Sequence, residues 1–125
     1  ASGLWRSMIG GFAVTDDALT SAAPASFYTP EQGQVFARDA MLNVLSVLKA
    51  EIGDLDLVKN CVKILVFVAS ADDFYDRPAV ANGATKLLGE LFGEEIGIPS
   101  RSAVGMNVLP GNLPIEIETI FELCE

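Results

Sequence analysis

The chain has 125 residues, with 17 Asp and Glu against 8 Lys and Arg, a net charge of −9, and no histidine. That charge argues against nucleic-acid binding, which needs clustered Lys and Arg to neutralise phosphates, and it disfavours anionic membrane surfaces. The missing histidine excludes Ser-His-Asp and Cys-His nucleophile systems, and leaves acid–base work to carboxylates, a tyrosine, a lysine, a thiol or bound water. The length suits one domain over 1–125, and an apolar half is enough for a core without staples. No apolar run is long enough for a bilayer, since Val62 to Ala71 meets Asp72 and Asp73 at once. The start, Ala1-Ser2-Gly3-Leu4-Trp5-Arg6, lacks the pattern of a signal peptide. Cys61 and Cys124 give neither metal spacing nor a disulfide framework, so a reducing cytoplasm is expected.

Leu4 to Ile9 alternates as a strand, and Gly10-Gly11 either ends it or inserts a bulge. A second short strand is expected at Phe12 to Val14, then a loop over Thr15 to Phe27. Thr29-Pro30-Glu31-Gln32 is a helix start. Thr29 caps, Pro30 fits the first turn, and Gln32 completes a capping box. Ala37, Met41, Val44, Leu45, Leu48 and Ile52 follow at helical spacing, and Gly53 stops the helix. Leu57 to Ala69 is β-branched and apolar, and its segment Ile64 to Val68, apolar on both faces, predicts a central strand. Cys61 within it is expected to be a small buried group. Asp72-Asp73 reads as turn chemistry. Asp76 and Pro78 open a second helix with the stripe Val80, Ala84, Leu87, Leu88, Leu91, closed by Gly93.

The last quarter reads as two strands. In the first, Val104, Met106 and Val108 share one face, expected in the core, and Arg101, Ala103, Gly105 and Asn107 share the other. In the second, Ile115, Ile117, Thr119, Phe121 and Leu123 share a face opposite Glu116, Glu118, Ile120 and Glu122. Arg101 and the glutamates are thus expected to point away from the core, as an anion site, an ion pair or a polar subunit interface. The element order predicts an α+β fold, one mixed sheet with both helices on one face, and the other face buried against another subunit.

At these residues the chain resembles the RidA/YjgF family of reactive-intermediate (imine/enamine) deaminases, of chorismate-mutase-like fold. The resemblance rests on Leu45 to Lys59, Val66-Phe-Val-Ala-Ser-Ala-Asp-Asp-Phe74, Val80-Ala-Asn-Gly83, Arg101-Ser-Ala-Val-Gly105, Leu109-Pro110 and Pro114-Ile-Glu-Ile-Glu-Thr-Ile120. It covers residues 29 to 125. The resemblance implies a homotrimer with clefts between subunits, where 2-aminoacrylate-type imines are hydrolysed to 2-keto acids and ammonia without metal or cofactor. It implies that Arg101 holds a small carboxylate, as planar guanidinium does well, and that Glu116 orients the attacking water. Asn82 lies at the cleft in some family members.

The chain departs from the family at several of these positions. The Ser-Gly-Gln segment that lines the family's cleft corresponds here to Ile9-Gly10-Gly11, so a hydroxyl is absent while Gly10 and Gly11 remain as rim residues. The family's upstream tyrosine would fall before residue 1, and the cysteine two residues after the arginine is Ala103. Two functions follow as expectations: an imine/enamine deaminase, or a non-catalytic trimer that binds a small 2-keto or amino acid through Arg101. A ribonuclease reading fits poorly with a charge of −9 and no histidine.

Overall fold

The computed structural model describes residues 4–12 and 29–124. Among the described residues four strands form one mixed sheet in the order β1-β4-β2-β3, with β1 Leu4–Phe12, β2 Val58–Ala69, β3 Ser100–Met106 and β4 Ile115–Leu123. β4 runs antiparallel to both β1 and β2, and β2 runs parallel to β3. Two parallel strands cannot be joined by a tight turn, and here a helix makes the crossover. The chain past Phe12, where a second strand and the loop over 15–27 are expected, lies outside the described residues.

Helix α1, Pro30–Ile52, starts where its sequence says it should. Thr29 Oγ1 accepts from the Gln32 N–H at 3.2 Å, and the Thr29 N–H donates to Gln32 Oε1 at 2.9 Å. The box satisfies two otherwise orphaned donors. Gly53 ends the helix at φ 91, where a residue with a Cβ is strained, and its N–H reaches the Lys49 carbonyl at 2.7 Å. Helix α2, Arg77–Phe92, follows Asp76 and stops at Gly93, and the single turn α3, Glu94–Gly97, leads into β3. Asp76 makes no side-chain capping bond. Asp72 and Asp73 lie in a turn, as expected. No helix among the described residues is long and apolar enough to cross a membrane.

Both helices lie on one face of the sheet and bury it. α1 contributes Ala37, Met41, Val44, Leu45 and Leu48; α2 contributes Val80, Ala84, Leu87 and Leu88. Ile64, Val66 and Val68 of β2 and Ile115, Ile117, Phe121 and Leu123 of β4 meet them. Each fully buried Leu, Ile or Phe contributes about 1.5–3 kcal/mol by leaving water. Cys61 belongs to this core at 2% exposure. β2 is internal, as its two-sided apolar run predicts, and register irregularities at Val58/Asn60 and Cys61/Lys63 keep Val58, Cys61 and Ile64 all turned inward.

Two sequence expectations are corrected here. Val104, Met106 and Val108 are not core residues, at 38%, 41% and 62% exposure, and it is the Arg101, Ala103, Gly105 face of β3 that lies under the helices. The cause is register. Arg101 pairs with Ile64, which faces inward, so residues 101, 103 and 105 face inward with it. Leu91, at the end of the α2 stripe, is 53% exposed.

The helices cross closely at Gly33 and Gly83. A Cβ on Gly83 would run into the Gln34 carbonyl oxygen, a backbone atom that cannot swing aside. Gly83→Ala should therefore separate α1 from α2 and cost about 1–3 kcal/mol, despite alanine's better helix propensity. Urea unfolding checks it; a variant as stable as the parent would show that the crossing yields freely.

Candidate functional site

Arg101 sits second in β3, an edge strand of the described sheet, and is half-buried. Its guanidinium reaches up to α2. Nη1 donates to Asn82 Oδ1 at 2.7 Å and to Thr85 Oγ1 at 3.2 Å. These acceptors are one turn apart on one helix face, where side chains three apart are neighbours. The Thr85 hydroxyl in turn points its own proton at the carbonyls of Asn82 and Ala81, at 3.4 and 3.5 Å. Both acceptors are neutral. Among the described residues no carboxylate pairs with Arg101. Within the single chain Arg101 forms no ion pair with Glu116, Glu118 or Glu122. Glu122 instead pairs with Lys59 at 3.2 Å. Among the described residues the half-buried cation is thus held by neutral dipoles alone.

Asn82 thus has a defined place. To accept from Arg101 its amide must turn Oδ1 toward the guanidinium, which leaves Nδ2 as a donor with no partner among the described residues. Ala103, two residues along β3 on the same face, packs against the core without a polar group. Glu116 lies elsewhere. It pairs in register with Phe67, whose other neighbour is Val104, so all three project from the outward face, opposite the helices. β2 separates β3 from β4, which puts about 10 Å between their backbones. Arg101 and Glu116 therefore occupy opposite faces of one sheet and do not meet within one chain.

Glu116 has β1 on its other side. Ile9 pairs with Glu118 and Phe12 with Glu116, and the register shifts between them, at Gly10 and Gly11. The bulge option for this glycine pair is the one realised. The sequence-predicted residues accordingly fall into two groups. Arg101, Asn82 and Ala103 lie along the β3–α2 seam, and Glu116, Gly10 and Gly11 lie on the β4–β1 side. The outward face around Glu116 also carries Leu65, Phe67, Val104, Met106 and Ile120, half-buried or exposed in the single chain.

Sequence reasoning missed two polar side chains. Thr85 had one available signal, its i+3 spacing from Asn82. Arg77 had none. It begins α2, donates from Nε to Ser70 Oγ at 2.8 Å and from Nη2 to the Ala71 carbonyl at 3.2 Å, and covers Gly105. A Cβ at Gly105 would run into Arg77 Nε, so the glycine there makes room for the guanidinium. Three surface clefts lie away from both groups. A cleft of about 340 Å³ is lined by Leu55, Asp56, Val58, Leu91, Phe92 and Ile96. Two others, of about 190 and 320 Å³, follow the outer groove between α1 and α2 and the α2–α3 corner. Among the described residues no group of Cys, Asp and Glu is arranged to hold a metal ion.

A four-stranded mixed sheet with both long helices on one face, and a βαβ crossover ending in an arginine-bearing edge strand, defines the chorismate-mutase-like α+β fold. The protein Atu1372 of Agrobacterium tumefaciens, of unknown function, superimposes with a TM-score of 0.87 at 30% identity, covering 98% of this chain and 80% of that one. RidA from an Antarctic Psychrobacter is similar at 27% identity with a TM-score of 0.50, over 72% of this chain and 63% of that one. Protein TCP17 of Trypanosoma cruzi is 44% identical over 95 residues, 76% of this chain. The chain spans 59% of the length of TCP17. No protein-family model matches the sequence. The chain belongs to the RidA/YjgF family.

Cys61 is the one described cysteine inside the fold, and burial disarms it. Desolvation pushes its thiol up from 9.0 to about 12, so the reactive thiolate is absent at neutral pH. Cys124 is exposed. Iodoacetamide at pH 8 should add to Cys124 alone in the native protein, and to Cys61 only after unfolding, as mass spectrometry would read. The folded-state pKa is raised, so the stabilisation is complete below about pH 9 and is lost as the pH climbs toward 12. Unfolding free energy should fall by up to about 1.4 kcal/mol per pH unit across that window, and Cys61→Ala should remove this component.

Proposed function

We propose that this chain hydrolyses small 2-imino acids, and their enamine tautomers such as 2-aminoacrylate, to 2-keto acids and ammonia, in clefts between the subunits of a homotrimer. The observation that carries the proposal is Arg101, seated on α2 by Asn82 and Thr85 with no carboxylate partner among the described residues. In this reading Arg101 clamps the substrate carboxylate and Asn82 adds its Nδ2 donor. Water attacks the carbon of the protonated imine while Glu116 of the partner subunit takes one water proton, giving a neutral tetrahedral carbinolamine. Glu116 returns that proton to the nitrogen, the C–N bond breaks as ammonia leaves with the bonding pair, and the hydroxyl proton passes to Glu116 as the carbonyl forms. No metal, cofactor or covalent intermediate is required by this sequence of steps.

Two features support a site shared between subunits. Arg101 and Glu116 lie on opposite faces of one sheet, and the face bearing Glu116 exposes Val104 and Met106 beside Leu65, Phe67 and Ile120. Apolar surface of this kind favours burial against another copy. The two free cysteines are in keeping with a cytoplasmic setting. The bulged Gly10-Gly11 pair, which offers no hydroxyl at the rim, favours a second reading, a trimer that binds a 2-keto or amino acid without turning it over.

Ammonia and pyruvate release from freshly generated 2-aminoacrylate tests the proposal. Wild type should accelerate release, and Arg101→Ala should lose about 2–4 kcal/mol of transition-state binding, or roughly 30- to 1,000-fold in kcat/KM. Pyruvate binding without acceleration would select the second reading. Unfolded and reassembled in a one-to-one mixture, Arg101→Ala and Glu116→Ala should complement each other to about a quarter of wild-type activity, because a site built from two subunits then sometimes draws both intact residues. No complementation, with both variants still trimeric, would refute a shared site.

A further inference from the structure

We infer that Thr85 is a positioning residue that fixes which edge of Arg101 a carboxylate ligand can use; the inference rests on the carboxylate-binding reading of Arg101 given above. A guanidinium carries five N–H donors, two of them on Nη1. Asn82 Oδ1 and Thr85 Oγ1 both accept from Nη1, at 2.7 and 3.2 Å, and so engage both of its hydrogens. The end of the fork formed by Nη1 and Nη2 is thereby blocked for a two-pronged carboxylate. Among the described residues Nε and Nη2 have no partner, and they form the remaining bidentate edge.

Asn82 by itself would hold one Nη1 hydrogen and leave the guanidinium free to pivot about that bond. The second acceptor stops the pivot. Thr85 can serve as that acceptor because its own proton is directed at the helix carbonyls of Ala81 and Asn82, which leaves an oxygen lone pair toward β3. A serine could do the same, whereas a valine of the same shape could not. A carboxylate-bearing ligand therefore meets a cation whose orientation is set before binding, and less freedom is lost when it docks.

The test uses pyruvate as the probe for binding and 2-aminoacrylate for turnover, with the full chain carrying Thr85→Val, Thr85→Ala, Thr85→Ser and Arg101→Ala. Thr85→Val and Thr85→Ala should each weaken pyruvate binding and raise KM roughly tenfold with a smaller change in kcat, while Thr85→Ser stays within about twofold of wild type. Nitrogen-edited spectra of Arg101 should show the Nε–H signal moving on pyruvate addition in wild type and Thr85→Ser, and moving less in Thr85→Ala. Alanine is a strong helix former, so Thr85→Ala keeps the test open if the valine variant misfolds. Unchanged pyruvate binding and KM in Thr85→Ala, with Arg101→Ala inactive, would overturn the role of Thr85 and leave the carboxylate site standing. If Arg101→Ala itself bound pyruvate and turned over 2-aminoacrylate like wild type, the carboxylate site would fall, and the role of Thr85 with it.

Discussion

Ile64 lies between Arg101 on β3 and Thr119 on β4, and this row of three sets the phase of the sheet. Ile64 and Thr119 are buried under the helices, so Arg101 must also face them. From that single registration the rest follows by alternation. Ala103 and Gly105 turn inward, Val104 and Met106 turn outward, and Glu116 and Glu118 share the outward face with Phe67 and Leu65. Slipping β3 by one residue would bring Ser100 and Ser102 under α2, and would bury Val104 at the cost of turning Arg101 outward.

The same registration explains why the cation has a receptor ready for it. An arginine forced under a helix must find acceptors or remain desolvated and unpaired. α2 offers Asn82 and Thr85, neutral groups that satisfy hydrogen bonds without cancelling the charge. Arg77 solves the same problem differently, by donating to Ser70 and the Ala71 carbonyl, where Gly105 leaves space for it. Of the two arginines, Arg77 fastens the β2–α2 loop to the sheet, and Arg101 keeps Nε and Nη2 without partners among the described residues.

The parts of the fold that depend on neighbours in sequence were legible there. The capping box at Thr29 and Gln32, the glycine stop at Gly53, the stripe from Ala37 to Leu48 and the two-sided apolar run of β2 each have a local physical cause. Errors arose where the deciding partner is remote. Val104, Met106 and Val108 look like a core face by alternation alone, because period two identifies two faces without saying which is covered. Leu91 continues a helical stripe, but the sheet does not extend beneath it.

For the site, the sequence by itself supplied the residue types and their spacing: an arginine opening one strand, glutamates alternating along the next, an asparagine inside a helix, and no histidine. These fix the available chemistry, because charge and hydrogen-bonding capacity belong to the side chain. Only the tertiary structure decided their grouping. It joined Arg101 to Asn82 and Thr85 through the β2–α2–β3 crossover, and it put Glu116 on the other side of the sheet. That division could not be read along the chain, since it depends on strand register and helix placement, which long-range burial determines.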